Sequence, residues 1–245
     1  FGPRLVGQYS DTFNDIFGSE LIVAYLIATI GFLLAGICVI GLTDKSSLLR
    51  LPVISEHTST KTKLDVKAKQ LTMLLVVNHF VMVIIMAATP LHVQDIGETI
   101  KVVGTIISYH TLGMFVFSPI LGRFVDKVGS KKVSICGGFI LLISCIFALN
   151  SEDIILLHLS LFLLGLGWNF NYVSISSEIS KYSIEKNTNL NIKSDSFVFV
   201  GSVFAQSSLG LTYTVIGFQG LVIFGTLSAI FLVFNLIRLS SKLLT

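Results

Sequence analysis

The sequence predicts an all-α, polytopic integral membrane helical bundle with seven transmembrane helices. Of its 245 residues, 53% are hydrophobic and only 13% are charged, and the mean hydropathy is +0.84. A soluble domain carries about 25% charged residues, so this surface is too apolar for water. In addition, the basic residues lie in alternate connections between apolar runs, which is typical of a chain that crosses a bilayer repeatedly.

Seven apolar runs are long enough, or nearly so, to cross a bilayer at about 1.5 Å per residue. In chain order they are Leu21–Leu42, Leu71–Leu91, Val102–Leu121, Val133–Leu149, Ile154–Ser177, Ser196–Thr214 and Gly220–Ile237. Pro90 ends the second run, and Pro119 lies near the inner end of the third. The fourth run is slightly short, so we expect flanking residues or local thinning of the bilayer to help it span.

The orientation follows from the Lys and Arg residues in the connections. All but Arg4 and Lys101 of the 17 lie in Thr43–Gln70, Gly122–Lys132, Glu178–Asp195 or the C-terminal tail. Basic connections stay on the cytoplasmic side of a membrane. Every second connection is therefore predicted to be cytoplasmic, which places the first residue outside and the C-terminus inside.

Gly122–Lys132 has the most informative local sequence, Gly-Arg-Phe-Val-Asp-Lys-Val-Gly-Ser-Lys-Lys. Gly122 and Gly129 permit a tight turn, and the Asp126 carboxylate can accept hydrogen bonds from the open N–H groups of the next helix. The basic residues that hold this loop at the cytoplasmic face are Arg123, Lys127, Lys131 and Lys132. The loop resembles the cytoplasmic signature of the major facilitator superfamily (MFS) of transporters. Ser130 departs from that signature, which usually has a basic residue there. A generic basic turn would explain the lysines but not the Gly-x-x-x-Asp spacing.

Four further segments, in the same order, resemble parts of a group of bacterial permeases of this superfamily. They are Met-Ala-Ala-Thr-Pro-Leu at 86–91, Tyr-His-Thr-Leu-Gly-Met-Phe at 109–115, Gly-Leu-Gly-Trp-Asn-Phe at 165–170 and Asp-Ser-Phe-Val-Phe-Val-Gly at 195–201. The resemblance implies that the chain is helices six to twelve of a truncated twelve-helix fold, without helices one to four. Residues 1–42 would end the N-terminal half, 43–70 would be the cytoplasmic linker and 71–245 the C-terminal six-helix bundle. The location would be the inner or plasma membrane of a bacterium or archaeon.

Seven-helix receptors and rhodopsins share this helix count and orientation. No predicted span contains a lysine that could form a retinal Schiff base, however, and neither the long linker Thr43–Gln70 nor the Gly-x-x-x-Asp loop is expected in such proteins.

Polar side chains recur near the middle of several spans. Asn78, His110, Asn169 and Gln206 all lie in the middle third of their helices. In the facilitator fold the corresponding helices face the central cavity, so the predicted substrate-cavity residues are Asn78, His110, Trp168, Asn169, Tyr172 and Gln206. The alternative interpretation is that polar and small residues at this depth bind helices to one another.

No predicted span contains Asp, Glu, Lys or Arg. Only His79, His110 and His158 could therefore titrate at membrane depth. Proton coupling would use one of these histidines or the missing half, or the transporter would have none. Amides, hydroxyls and aromatic rings suit a neutral or amphiphilic small molecule.

The expected function is secondary transport of a small molecule by alternating access. We expect that the protein is not an enzyme and that it binds no metal or cofactor. The spans contain no carboxylate pair, nucleophile motif or metal-ligand spacing. The expected partners are an unknown substrate, with or without a coupled proton, the lipid bilayer and the missing N-terminal half, but no nucleic acid. A sensor or receptor built on the same fold without transport is the alternative.

Overall fold

The computed structural model describes residues 26, 29–38, 40, 65–150 and 152–241. The chain divides into two compact units, Phe1–Lys63 and Leu64–Thr245. In the first unit an apolar helix, α1, covers Thr29–Cys38. Most of the remainder of the predicted span Leu21–Leu42, and the linker up to residue 64, lie outside the described residues.

The second unit is a bundle of helices joined by short connections. In chain order these helices are α2 Val66–Asp95, α3 Ile100–Phe115, α4 Ser118–Val128, α5 Ser130–Ala148 and α6 Ile154–Lys186. The last stretch, Leu190–Ser241, is broken at Gly217, whose φ of 66° and ψ of −178° are not helical. We therefore describe it as α7 (190–216) and α8 (218–241). A positive φ of this kind is readily adopted by glycine.

Five helical stretches among the described residues are long and apolar enough to cross a membrane. They are Val66–Asp95, Ile100–Val128, Ser130–Ala148, Ile154–Lys186 and Leu190–Leu239. The prediction of an all-helical, multi-pass membrane bundle is thus confirmed, whereas the count of seven is not. Leu190–Leu239 is counted as one stretch, although it contains both α7 and α8. Each of these two helices is about 35–40 Å long, which exceeds the thickness of a hydrocarbon core, about 30 Å.

Two aspartates start helices by capping them. Asp65 Oδ1 accepts a hydrogen bond from the Ala68 amide at 2.8 Å, and Asp153 Oδ1 accepts one from the Ile155 amide at 2.8 Å. The Ala68 N–H and the Tyr182 hydroxyl hold the pKa of the Asp65 carboxyl below its usual range, because both donate to the charged form. The end of the predicted linker is consequently helical from Val66 onward.

The third predicted span, Val102–Leu121, is not one helix. It stops at Phe115 and restarts at Ser118. Pro119 has no N–H with which to bond the Phe115 carbonyl, so the helical ladder is interrupted there.

The prediction that Gly122–Lys132 forms a loop is wrong. Its first seven residues belong to α4 and its last three to α5, and only Gly129 lies between them. The φ of 95° at Gly129 produces the turn. Asp126 lies on the exposed side of α4 and does not cap α5, whose start has no side-chain cap.

The prediction that Glu178–Asp195 forms a loop is also wrong. Helix α6 continues to Lys186, nine residues beyond the predicted end of its span, and α7 begins at Leu190. Asn187 ends α6 in the left-handed conformation, with φ of 48°. Asp195 is therefore part of a helix rather than of a connection.

Helix α6 is central, because it packs against α2, α3, α4, α5 and the 190–241 stretch. It approaches α3 most closely where Gly165 and Gly113 face the opposite backbone. A Cβ added to Gly165 would lie 2.3 Å from the His110 carbonyl oxygen, and one added to Gly113 would lie 2.3 Å from the Phe162 carbonyl oxygen. Only glycine permits this approach, which is the usual role of small residues between membrane helices.

Hydroxyl groups complete two further helix contacts. Ser144 on α5 and Ser160 on α6 each donate to the other's carbonyl oxygen at 2.9 Å. At one end of the bundle, the Tyr213 hydroxyl on α7 donates to the Asp95 carboxylate at the end of α2, at 2.5 Å. The two serines are fully buried, so their bonds satisfy hydroxyl groups that water does not reach.

Candidate functional site

A layer of hydrogen-bonded polar side chains joins α2 and α6 near their midpoints. The Asn78 Nδ2 group donates to the Trp168 carbonyl oxygen at 3.2 Å, and Asn171 Nδ2 donates to Asn78 Oδ1 at 2.9 Å. Asn78 and Asn171 are fully buried. We call Asn78, His79, Trp168 and Asn171 the polar layer, since His79 extends the same chain of contacts.

The aromatic part of the polar layer is held by Trp168. Its Nε1–H donates to His79 Nδ1 at 3.1 Å, so this nitrogen carries no hydrogen in the arrangement. The indole also stacks on Tyr172, with ring centroids 5.0 Å apart and an interplanar angle of 20°. Tyr172 is half-buried, and it connects the polar layer to the cleft described below.

His110 is buried between α3 and α6, away from this chain of contacts. Its Nδ1–H donates to the Leu161 carbonyl oxygen at 2.9 Å. The other ring nitrogen, Nε2, is buried and has no hydrogen-bond partner among the described residues. An acceptor without a described partner at this position is available to a hydrogen-bond donor that enters the bundle.

Asn169 and Gln206 have different environments. Asn169 is 2% exposed, and its amide bonds with the Ser118 hydroxyl at the start of α4, with Nδ2 to Oγ at 3.1 Å. Gln206 lies on the exposed side of α7. The Asn169 amide therefore forms its hydrogen bond within the bundle. The Gln206 side chain is available to bind a molecule or another helix outside it.

Of the six predicted cavity residues, the structure brings three into one continuous group, namely Asn78, Trp168 and Tyr172. Sequence reasoning missed Asn171 and underrated His79, which complete this group. No periodic pattern indicated Asn171, because it lies one residue away from the stripe that contains Asn169 and Tyr172. A shared cavity for the whole set remains a prediction.

The basic motif residues cluster at the turn between α4 and α5. Arg123, Lys127 and Lys132 are exposed, and Lys131 lines a narrow crevice with Lys67 and Glu178, among other residues. Ser130, the departure from the family signature, donates a hydrogen bond to the Glu178 carboxylate. Lys181 Nζ also donates to Glu178, at 3.3 Å. The side chain that replaces the usual basic residue therefore joins α5 to α6.

A polar cleft opens between α2, α6 and α7, beside Tyr172. Its volume is about 200 Å³, and we call it the Asp195 cleft. The lining residues are Leu75, Tyr172, Ser176, Ile179, Ser180, Asn191, Ser194 and Asp195. The expectation that this half supplies no carboxylate at membrane depth rested on placing Asp195 in a loop. The structure corrects that placement.

A bundle of long apolar helices joined by buried polar bonds is typical of a multi-pass membrane protein. A model of the Major Facilitator Superfamily matches residues 1–188 and, overlapping them, residues 71–242. The chain belongs to the major facilitator superfamily.

Three curated relatives are named as transporters. The uncharacterized MFS-type transporter YdeG of Bacillus subtilis is 30% identical over 190 residues, covering 71% of this chain and 43% of that protein. The uncharacterized MFS-type transporter YddS of the same organism is 26% identical over 187 residues, covering 71% of this chain and 43% of that protein. The riboflavin transporter RfnT of Brucella anthropi is 24% identical over 132 residues, covering 54% of this chain and 33% of that protein.

The chain thus spans less than half the length of these curated relatives. No solved structure is significantly similar to it. The matching family and these relatives are named for membrane transport.

Proposed function

We propose that this chain is the C-terminal part of a secondary transporter that moves a small molecule across a membrane by alternating access. The observation that carries the proposal is the polar layer at the midpoints of α2 and α6. Buried amides and an imidazole are costly in a membrane, so they persist where they bind helices together or serve a transport pathway. Membership of a transporter superfamily favours the pathway.

In this proposal residues 1–42 end an N-terminal half, residues 43–70 form the linker and residues 71–245 form the C-terminal bundle. The proposal is supported by the relatives, of whose length the chain covers 43% in two cases. The basic turns at Gly129 and at Asn187 would face the cytoplasm, as would the C-terminus. The relatives are bacterial, which favours a bacterial plasma membrane.

The experiment uses the complete protein reconstituted in liposomes. The vesicles are incubated with a mixture of small molecules, riboflavin included, and their contents are quantified by mass spectrometry. We expect at least one solute to enter faster than into protein-free vesicles, with a rate that saturates with concentration. A solute that binds the protein but never crosses would contradict transport and favour the sensor alternative.

We also propose that Gly122–Lys132, which contains the α4–α5 turn, is a conformational latch. Asp126 is exposed on α4 and forms no hydrogen bond or ion pair with another described residue, so its carboxylate is free to engage a basic partner in one transport state. Such a contact is worth about 1 kcal/mol, enough to shift a balanced equilibrium several-fold. Asp126→Asn should therefore slow transport several-fold at unchanged expression, and normal transport would remove the latch.

A further inference from the structure

The Asp195 cleft is rich in oxygen atoms. Tyr172, Ser176 and Ser180 lie one and two turns apart along α6 and present three hydroxyl groups to it. None of the three forms a hydrogen bond with another residue that the structure describes. Asn191 and Asp195 add an amide and a carboxylate from α7.

The cleft lies towards the end of the bundle at which α6 and α7 connect. Ser194, next to Asp195, donates to the Leu190 carbonyl, so the Thr72 hydroxyl is the donor in its 3.0 Å bond with Ser194. Thr72 is six residues, about 9 Å, from Asn78 along α2. Asn78 is close to the middle of that helix, and half of a hydrocarbon core is about 15 Å thick. Thr72 is thus about 13 Å from the middle of α2, so Asp195 lies near the edge of an apolar layer centred on that helix.

The charge of Asp195 is not neutralised within the described part of the chain. No Lys, Arg or His described in the structure forms an ion pair with it. A partly buried carboxylate without a paired cation attracts a positive charge, because the alternative is an uncompensated charge beside an apolar layer. One carboxylate among neutral oxygens matches a single positive charge, whereas sites for divalent ions usually recruit more carboxylates.

We propose that the Asp195 cleft binds a singly charged cation, with Asp195 as the counter-charge and the Tyr172, Ser176 and Ser180 hydroxyls as neutral ligands. The cation is either the ammonium group of an organic molecule or a monovalent inorganic ion. A volume of about 200 Å³ accommodates both. Binding itself does not depend on transport, but the role of the cation as substrate or coupling ion rests on the proposed function.

The chain carries its own reporter of this site. Trp168 is its only tryptophan, and it stacks on Tyr172, which lines the cleft. The fluorescence of the complete protein, in a form that retains Trp168 as its one tryptophan, is recorded in nanodiscs. Sodium chloride or methylammonium chloride is titrated, and the change that both salts also produce in Asp195→Asn is subtracted as the effect of ionic strength.

We expect a saturable change with one of the two cations, and Asp195→Asn should weaken the apparent affinity at least ten-fold. Sodium alone would identify an inorganic ion, and methylammonium alone an organic ammonium group. The matched control is Glu185→Gln, which removes an exposed carboxylate from the end of α6 and should leave the affinity unchanged. Should Asp195→Asn not fold, Ser176→Ala should weaken binding about three-fold or more.

The inference is overturned if neither cation gives a saturable response, or if the response survives Asp195→Asn and Ser176→Ala unchanged. Binding that depends on Asp195 in a protein that transports nothing would retain this inference and contradict the proposed function. Transport without cation binding would retain the proposed function and contradict this inference.

Discussion

Asn171 donates a hydrogen bond from Nδ2 to Oδ1 of Asn78 at 2.9 Å, and this bond joins α6 to α2 at their midpoints. Asn78 forms a second hydrogen bond to α6, since its own Nδ2 donates to the Trp168 carbonyl oxygen. Both side chains are fully buried, so neither amide has water as a substitute. The pair therefore contributes to the stability of the bundle whatever else it does.

Asn78→Ala should lower the free energy of unfolding by about 1–2 kcal/mol, since each bond between membrane helices contributes on the order of 1 kcal/mol. The measurement is reversible unfolding in detergent, or thermal unfolding as a ranking. The matched control is Asn235→Ala, whose amide bonds only the Phe231 carbonyl of its own helix. Equal stability of the two variants would contradict the role given to the polar layer.

Asn169 and Gln206 allow packing and transport to be separated. Gln206 is exposed on α7, so Gln206→Ala should leave stability within about 0.5 kcal/mol of the wild type. If the residue lines a substrate cavity, the same substitution should reduce transport several-fold. Asn169→Ala removes a buried bond to Ser118 and should lower both stability and transport. Normal transport by both variants, measured in liposomes, would remove both residues from the proposed substrate cavity.

The α3–α6 crossing should not tolerate a methyl group at Gly165. Gly165→Ala places a Cβ 2.3 Å from the His110 carbonyl oxygen, so the helices must separate. Overpacking of this kind typically costs about 1–3 kcal/mol. Gly210→Ala is the matched control, because no atom lies within 4 Å of a Cβ added there. Unfolding midpoints that fall equally in both variants would show that the close approach is not the cause.

The stability of the fold depends on pH through Asp65, which caps the start of α2. Its pKa is lowered in the folded state by the Ala68 N–H and the Tyr182 hydroxyl, so the carboxylate stabilises the fold above the ordinary aspartate value of about 3.9. That contribution falls as pH drops below this value and is lost once pH passes below the lowered pKa. In Asp65→Asn this part of the acid destabilisation should disappear. Identical slopes of stability against pH for the variant and the wild type would refute the assignment.

Hydropathy was sufficient to predict a multi-pass helical bundle, because length and apolar content decide whether a helix can span, but the count of seven spans is not confirmed. Its errors occur where charged residues lie inside helices. Glu178 and Asp195 ended the predicted spans, yet both are helical, and each has neighbours that a linear pattern cannot reveal. Ser130 reaches Glu178 only because α5 and α6 are adjacent.

Backbone interruptions were only partly predictable. Pro119 interrupts the helical ladder between α3 and α4, since proline cannot donate to the preceding turn, but the predicted span Val102–Leu121 continued through it. The Gly122–Lys132 motif could not reveal that Gly122 lies within a helix while Gly129 makes the turn, because glycine is compatible with both. The partner of each buried amide depended on tertiary packing, so Asn171 could not be predicted from the spacing of Asn78 or Asn169.

Alternating access is tested most directly by two-sided labelling of a cysteine at position 206. The complete protein carries Gln206→Cys, with Cys38, Cys136 and Cys145 of this chain and any other native cysteines replaced by alanine. A maleimide that cannot cross the membrane is added to either side of oriented vesicles. The account predicts labelling from both sides, because a central position faces each side in turn. Labelling from one side only, or from neither, would contradict it.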